Sequence, residues 1–245
     1  MNIADRVALV TGCSRPEGIG FEVCRQLAQQ GIKVLLTARD ESKALALAFT
    51  LQSEGLNVTG YSLDISSIES VRNAVNHIDS LYGRLDILVN NATGSTRDWS
   101  ATSSADLETA RQVMDVTVFG TWRLTQAMLP LLQRSENGRI VNVSSSAGLH
   151  ADPELGLTGR AQAPPAYGIA KAALNALTAK LADELRDSGI KVNAVCPGFT
   201  ATRPRMAELG ARPVAEGAKV IVWAATLADD GPSGGFYRDN QLQAW

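Results

Sequence analysis

Tyr167 and Lys171 stand four residues apart in YGIAK, so a helix carries both side chains on one face. A free phenol titrates near about 10 and is a poor proton donor or acceptor at neutral pH; a neighbouring ammonium favours the phenolate and lowers that value. The pair therefore has the composition of a general acid–base unit. A tyrosine packed on the core beside a snorkelling lysine would give the same letters. Ser145 adds a third group. It follows the apolar run RIVNV, and its hydroxyl is suited to donate to an oxygen that gains negative charge. A serine at a strand end also serves as a plain turn former.

A second set of residues suits phosphate. Gly12, Gly18 and Gly20 lie in TGCSRPEGIG, between the first apolar run and the first helical period. Glycines there let backbone N–H groups approach a pyrophosphate while the helix N-terminus adds favourable partial charge, although glycines also simply make tight turns. Arg15 lies in that turn, and Arg39 follows the run LLTA. At this point in a dinucleotide fold an acid accepts the ribose 2′-hydroxyl, whereas arginine accommodates a 2′-phosphate. Ala38 precedes Arg39 and Asp40 comes one step later, so the residues favour NADP(H) over NAD(H), unless both arginines are solvated surface groups.

The elements that must position these groups alternate. Strands are expected at Arg6–Thr11, Lys33–Ala38, Leu56–Leu63, Leu85–Val89, Arg139–Val143 and Ile190–Val195. Helical periods fill Ile19–Gln30, Glu41–Glu54, Ile68–Tyr82, Ala105–Leu132 and Ala166–Arg186. Continuous apolar strands separated by helices mean an α/β fold, a doubly wound parallel sheet with helices on both faces. No linker interrupts the alternation, so residues 1–245 are expected to form one domain. Its crevice should lie beyond the carboxyl ends of the strands.

Composition removes other classes. The chain has 245 residues and a net charge of −2, without the basic surface that nucleic acid or an anionic membrane requires. No run approaches the length of a membrane span, and no cleavable leader is evident. Three cysteines (Cys13, Cys24, Cys196) cannot all pair, which suits a reducing, cytoplasmic setting. No Cys, His and carboxylate cluster has metal-ligand spacing.

Taken in order, TGCSRPEGIG, Asp64 of LDI, NNA at 90–92, IVNVSS, YGIAK and VNAVCPGFTAT resemble the short-chain dehydrogenase/reductase family, a Rossmann-like fold, over nearly the whole chain. LTARD, the long segment before Tyr167 and the ending SGGFYRDNQLQAW are similar to its carbonyl-reductase branch. The resemblance implies reduction of a small-molecule ketone or aldehyde by NADPH, or the reverse alcohol oxidation. Tyr167 would give the proton, Ser145 would hold the carbonyl oxygen, and Lys171 would bind the nicotinamide ribose. Ser14 and Ile19 would join the glycine turn at the cofactor, and Asp64 with Ile65 would meet adenine. Asn91 and Ala92 would line the cleft; Pro197, Gly198 and Thr202 would hold the nicotinamide end.

Three features depart from the family pattern. Five residues separate Gly12 from Gly18, two more than usual, with Pro16-Glu17 the natural insertion. Thr93 stands between NNA and Gly94. Thr117 occupies the place of an asparagine that holds a relay water in the family, and is expected to do so less well. These departures keep open a non-redox or regulatory NADP-binding protein. Residues 149–165 form an insertion before Tyr167, a candidate lid, and 199–213 resemble a substrate loop. In the carbonyl-reductase branch such an insertion covers a subunit-packing surface, which points to a monomer; a homo-oligomer stays open. Arg203, Arg205 and Arg212 attract an acidic substrate or are solvated charge. Trp99, Trp122 and His150 are pocket candidates or packing residues.

Overall fold

The structure, a computed structural model, describes residues 5–160 and 163–245; positions 161 and 162 of the expected insertion lie outside the described residues. The chain begins β1 (Val7–Val10), α1 (Ile19–Gln29), β2 (Lys33–Ala38), α2 (Glu41–Ser53), β3 (Val58–Ser62), α3 (Ile68–Tyr82) and β4 (Ile87–Asn90). It continues through α4 (Leu107–Met114), α5 (Thr121–Leu132), β5 (Arg139–Val143), α6 (Pro165–Glu184) and β6 (Lys191–Cys196). It ends with α7 (Val214–Ala225), β7 (Phe236–Arg238) and β8 (Gln241–Gln243).

All these strands join one sheet in the order β3-β2-β1-β4-β5-β6-β7-β8. Every pair is parallel except β7 with β8. The chain builds outward from β1 to β3, then returns to β4 on the other side, so a crevice opens between the carboxyl ends of β1 and β4. Both faces are covered. Ala8, Val10, Val34 and Leu36 pack with Phe21, Leu27, Leu47 and Ile221, beneath α1, α2 and α7. Val7, Leu9, Leu35 and Val192 turn the other way against Ile78, Leu124, Met128 and Leu181 of α3, α5 and α6. Successive strand residues point to opposite faces, which is why strands buried on both sides read as unbroken apolar runs.

The sheet departs from expectation at its end. α7 escapes a periodicity reading because AKVIVWAA is apolar nearly all round. β7 and β8 are three residues each, joined by Asp239-Asn240 with φ of 53° and 60°, a tight hairpin that adds an antiparallel edge. The expected helix over Ala105–Leu132 begins at Leu107, where Asp106 caps Glu108 and Thr109, and widens into a π-turn at Asp115–Gly120. That turn carries Thr117.

Candidate active site

One stripe of α6 faces the end of β5. The Lys171 Nζ donates to the Val143 carbonyl at 2.8 Å. Four residues on, the Asn175 Oδ1 accepts from the Ser144 hydroxyl at 2.5 Å, and the Thr178 hydroxyl accepts from Asn142 Nδ2 at 2.8 Å. Tyr167, Lys171, Asn175 and Thr178 thus continue one helical face, and polar groups of β5 and its exit answer it position by position. Asn175 and Thr178 were missed in the sequence, although their spacing from Lys171 continues the same stripe.

Ser145 leaves β5 into a short turn, Ser146–Gly148, whose second amide is capped by the Ser145 hydroxyl accepting from Ala147 N at 3.2 Å. Gly148 lets this turn press on α6: a Cβ there would lie 2.5 Å from Ala172 N and the Lys171 carbonyl carbon. The close approach brings Ser145 to Tyr167. Burial raises the Tyr167 phenol above its ordinary value; a hydrogen bond with the Ser145 hydroxyl opposes the rise. This reverses the lowering expected from the adjacent ammonium. Burial also pushes Lys171 down, to about 8, with the Cys196 thiol opposing the fall. The Lys171 Nζ stands 5.6 Å from the Tyr167 ring centre.

The expected cofactor residues gather at the same sheet edge. Asn91 Nδ2 donates to the Thr11 carbonyl at 2.7 Å, and the Thr11 hydroxyl accepts from both Asn91 N and Ala92 N at 3.0 Å. Thr11 therefore ties the exits of β1 and β4 together. Gly18 starts α1, and no side chain among the described residues caps that helix, in contrast to α2 and α3, which Asp40 and Ser67 cap. Ser14, Ala38, Arg39, Asp40 and Lys43 line one hollow. Lys43, four residues past Arg39 on α2, was not singled out in the sequence. Arg15 is exposed in the glycine turn and is not among the residues lining that hollow. Asp64 accepts from Ser66 N and Oγ at 2.9 and 2.6 Å, and Arg123 of α5 donates to the Ile65 carbonyl at 2.8 Å, so this loop is held from beneath.

Comparison with known proteins places the whole chain in a family. The short chain dehydrogenase family matches residues 6–213. The chain belongs to that family. It is 35% identical to (−)-isopiperitenone reductase of Mentha piperita, over 97% of this chain and 98% of that protein. The solved salutaridine reductase of Papaver somniferum superimposes with a TM-score of 0.77 at 30% identity, covering 95% of this chain and 99% of that one. The NADP active-site complex of Pseudomonas aeruginosa RhlG does so with 0.79 at 32% identity, covering 96% and 94%.

Two loops expected beside these residues are held as follows. Pro197 and Gly198 follow β6, and the Pro197 carbonyl accepts from the Thr200 hydroxyl at 3.0 Å. The segment 199–213 closes on itself: Arg212 N donates to the Phe199 carbonyl and Ala201 N to the Arg212 carbonyl, both at 2.9 Å. The Arg212 guanidinium is ion-paired with Asp239 of the β7–β8 turn. Arg203 and Arg205 are exposed, and Thr202 N donates to the Thr200 carbonyl at 2.8 Å. On the other side, Asp152 of the insertion accepts from Glu154 N and Leu155 N and is ion-paired with Arg238 at 2.8 Å. Trp99, Trp122 and His150 are exposed. Among the described residues no helix is long and apolar enough to cross a membrane.

Proposed function

We propose that the chain is an NADP(H)-dependent reductase of a ketone or aldehyde carbonyl. One observation carries the reading: the Ser145 hydroxyl, the Tyr167 phenol and the Lys171 ammonium meet at the carboxyl edge of the sheet. The raised phenol stays protonated at neutral pH, the form that a donor to a carbonyl oxygen needs. Ser145 donates a hydrogen bond to that oxygen as it becomes negative. Lys171, cationic below about 8, holds the ribose hydroxyls and the local positive potential.

The dinucleotide site fits its ligand. An uncapped helix start behind Gly12, Ser14, Gly18, Ile19 and Gly20 offers amides to a pyrophosphate, and Arg15 adds charge beside them. Arg39 and Lys43 would bind a 2′-phosphate in their shared hollow. Asp64 and Ile65 would face adenine, with Asn91 and Ala92 along the cleft. Pro197, Gly198 and Thr202 would hold the nicotinamide, which supplies hydride when bound. The solved relative with NADP supports this cofactor, and the reductase names of the plant relatives support a reductase. Residues 149–165 and 199–213 would wall the substrate. The free, buried cysteines suit the reducing cytoplasm.

The test is purified protein with NADPH and a panel of ketones and aldehydes, followed at the nicotinamide absorbance. Turnover of at least one carbonyl is expected. Measurable NADPH binding with no turnover of any would overturn the reductase reading in favour of a regulatory dinucleotide-binding protein.

A further inference from the structure

Two departures from the family pattern, the additional Thr93 and the threonine at 117, touch each other. Their hydroxyl oxygens lie 3.1 Å apart, and the Thr117 oxygen also accepts from Gly94 N at 3.0 Å. Thr117 is fully buried in the π-turn. A hydroxyl has one proton and two lone pairs, so these two contacts take up most of its capacity and leave little for a bridging water. Gly94 is what permits the contact: a Cβ there would sit 2.6 Å from Val113 Cα and 2.8 Å from the Val113 carbonyl oxygen. The other end of the same segment is held by Thr11, through Asn91 N and Ala92 N.

We propose that Thr117 is a positioning residue whose hydroxyl, together with Thr93, anchors the segment 91–94 and so shapes the cleft wall beside the dinucleotide; this use of the cleft rests on the reductase reading above. Without that hydroxyl the buried Gly94 N–H loses its partner, an unfavourable state that the segment relieves by moving. The anchor, and not a proton relay, is then what the threonine supplies.

The experiment compares Thr117→Val, which keeps the branched shape and removes the oxygen, with Thr117→Ser, which keeps the oxygen. Amide hydrogen exchange at Gly94 is read in the cofactor-free protein, and NADPH affinity and the pH profile of kcat are read separately. Thr117→Val is expected to speed Gly94 exchange and weaken NADPH binding, each roughly tenfold, with an unmoved pH profile. Thr117→Ser restores both to within about twofold, and Thr93→Val added to Thr117→Val costs little more. Unchanged Gly94 exchange in Thr117→Val overturns the proposal, and so does unchanged affinity with a displaced pH profile. Failure of the unmodified protein to bind NADPH would count against the reductase reading, while the exchange result would still decide the anchor.

Discussion

Lys171 holds its ammonium 5.6 Å from the centre of the Tyr167 ring and donates the same nitrogen to the Val143 carbonyl at 2.8 Å. A cation within about 6 Å of an aromatic face is attracted by the ring quadrupole, so strand, helix and ring share one charge. Burial weakens that charge by bringing its titration down to about 8.

Activity should follow the titration. Lys171 is cationic below about 8 and neutral above it, so kcat/KM is expected to fall as pH rises through that value. A profile of initial rates from about pH 6 to about pH 10 checks this; a flat response across the interval would contradict it.

Stability should run the opposite way. The folded chain releases the Lys171 proton near about 8, whereas the unfolded chain keeps it until 10.5, so this group adds stability as pH rises between the two. Lys171→Met removes the buried charge and is expected to stabilise the fold by about 1–3 kcal/mol at neutral pH while abolishing turnover. Urea unfolding at neutral pH and at about pH 10 measures the gain, which should shrink at the higher pH.

Tyr167→Phe deletes the proposed proton donor and leaves the ring. Turnover is expected to drop by about 10²–10⁴-fold with NADPH binding retained, as read by nicotinamide fluorescence. Substantial residual activity would assign the proton to another group.

Arg39→Ala and Lys43→Ala each remove a charged donor from the hollow that also holds Ser14. A lost charge-assisted bond of about 1.5–3 kcal/mol raises the KM for NADPH roughly ten- to a hundredfold. The KM for NADH, which lacks the 2′-phosphate, should hardly change, and the ratio of the two is the readout.

Gly148→Ala puts a methyl against backbone atoms of Lys171 and Ala172 that have no side-chain freedom to yield. A loss of about 1–3 kcal/mol is expected in urea unfolding. Turnover should fall with it, because the Ser145 turn is pushed off α6.

Local pattern made most of the scaffold legible. Lys33–Ala38 and Ile68–Tyr82 match expectation to the residue, because apolar continuity marks the one, and a Ser67 cap with a left-handed Gly83 bounds the other. Tyr167 and Lys171 were recognisable as a pair for the same reason, since helical spacing is a property of neighbours in the chain. α7, β7 and β8 were not: one is apolar on nearly every side, and the others are too short to show a period and depend on pairing with β6.

Tertiary structure decided what distance along the chain conceals. Thr93 and Thr117 are 24 residues apart and share a hydrogen bond, and Arg212 meets Asp239 across 27. Lys43 joins Arg39 only once α2 is set against the β2 exit. The direction of the Tyr167 shift followed the same logic. Spacing showed an ammonium beside a phenol, but burial, which is the sum of contacts from remote segments, raises that phenol, and the opposing contribution comes from the Ser145 hydroxyl. Sequence determined which groups are present and which share a helix face; packing determined how strongly each one holds its proton.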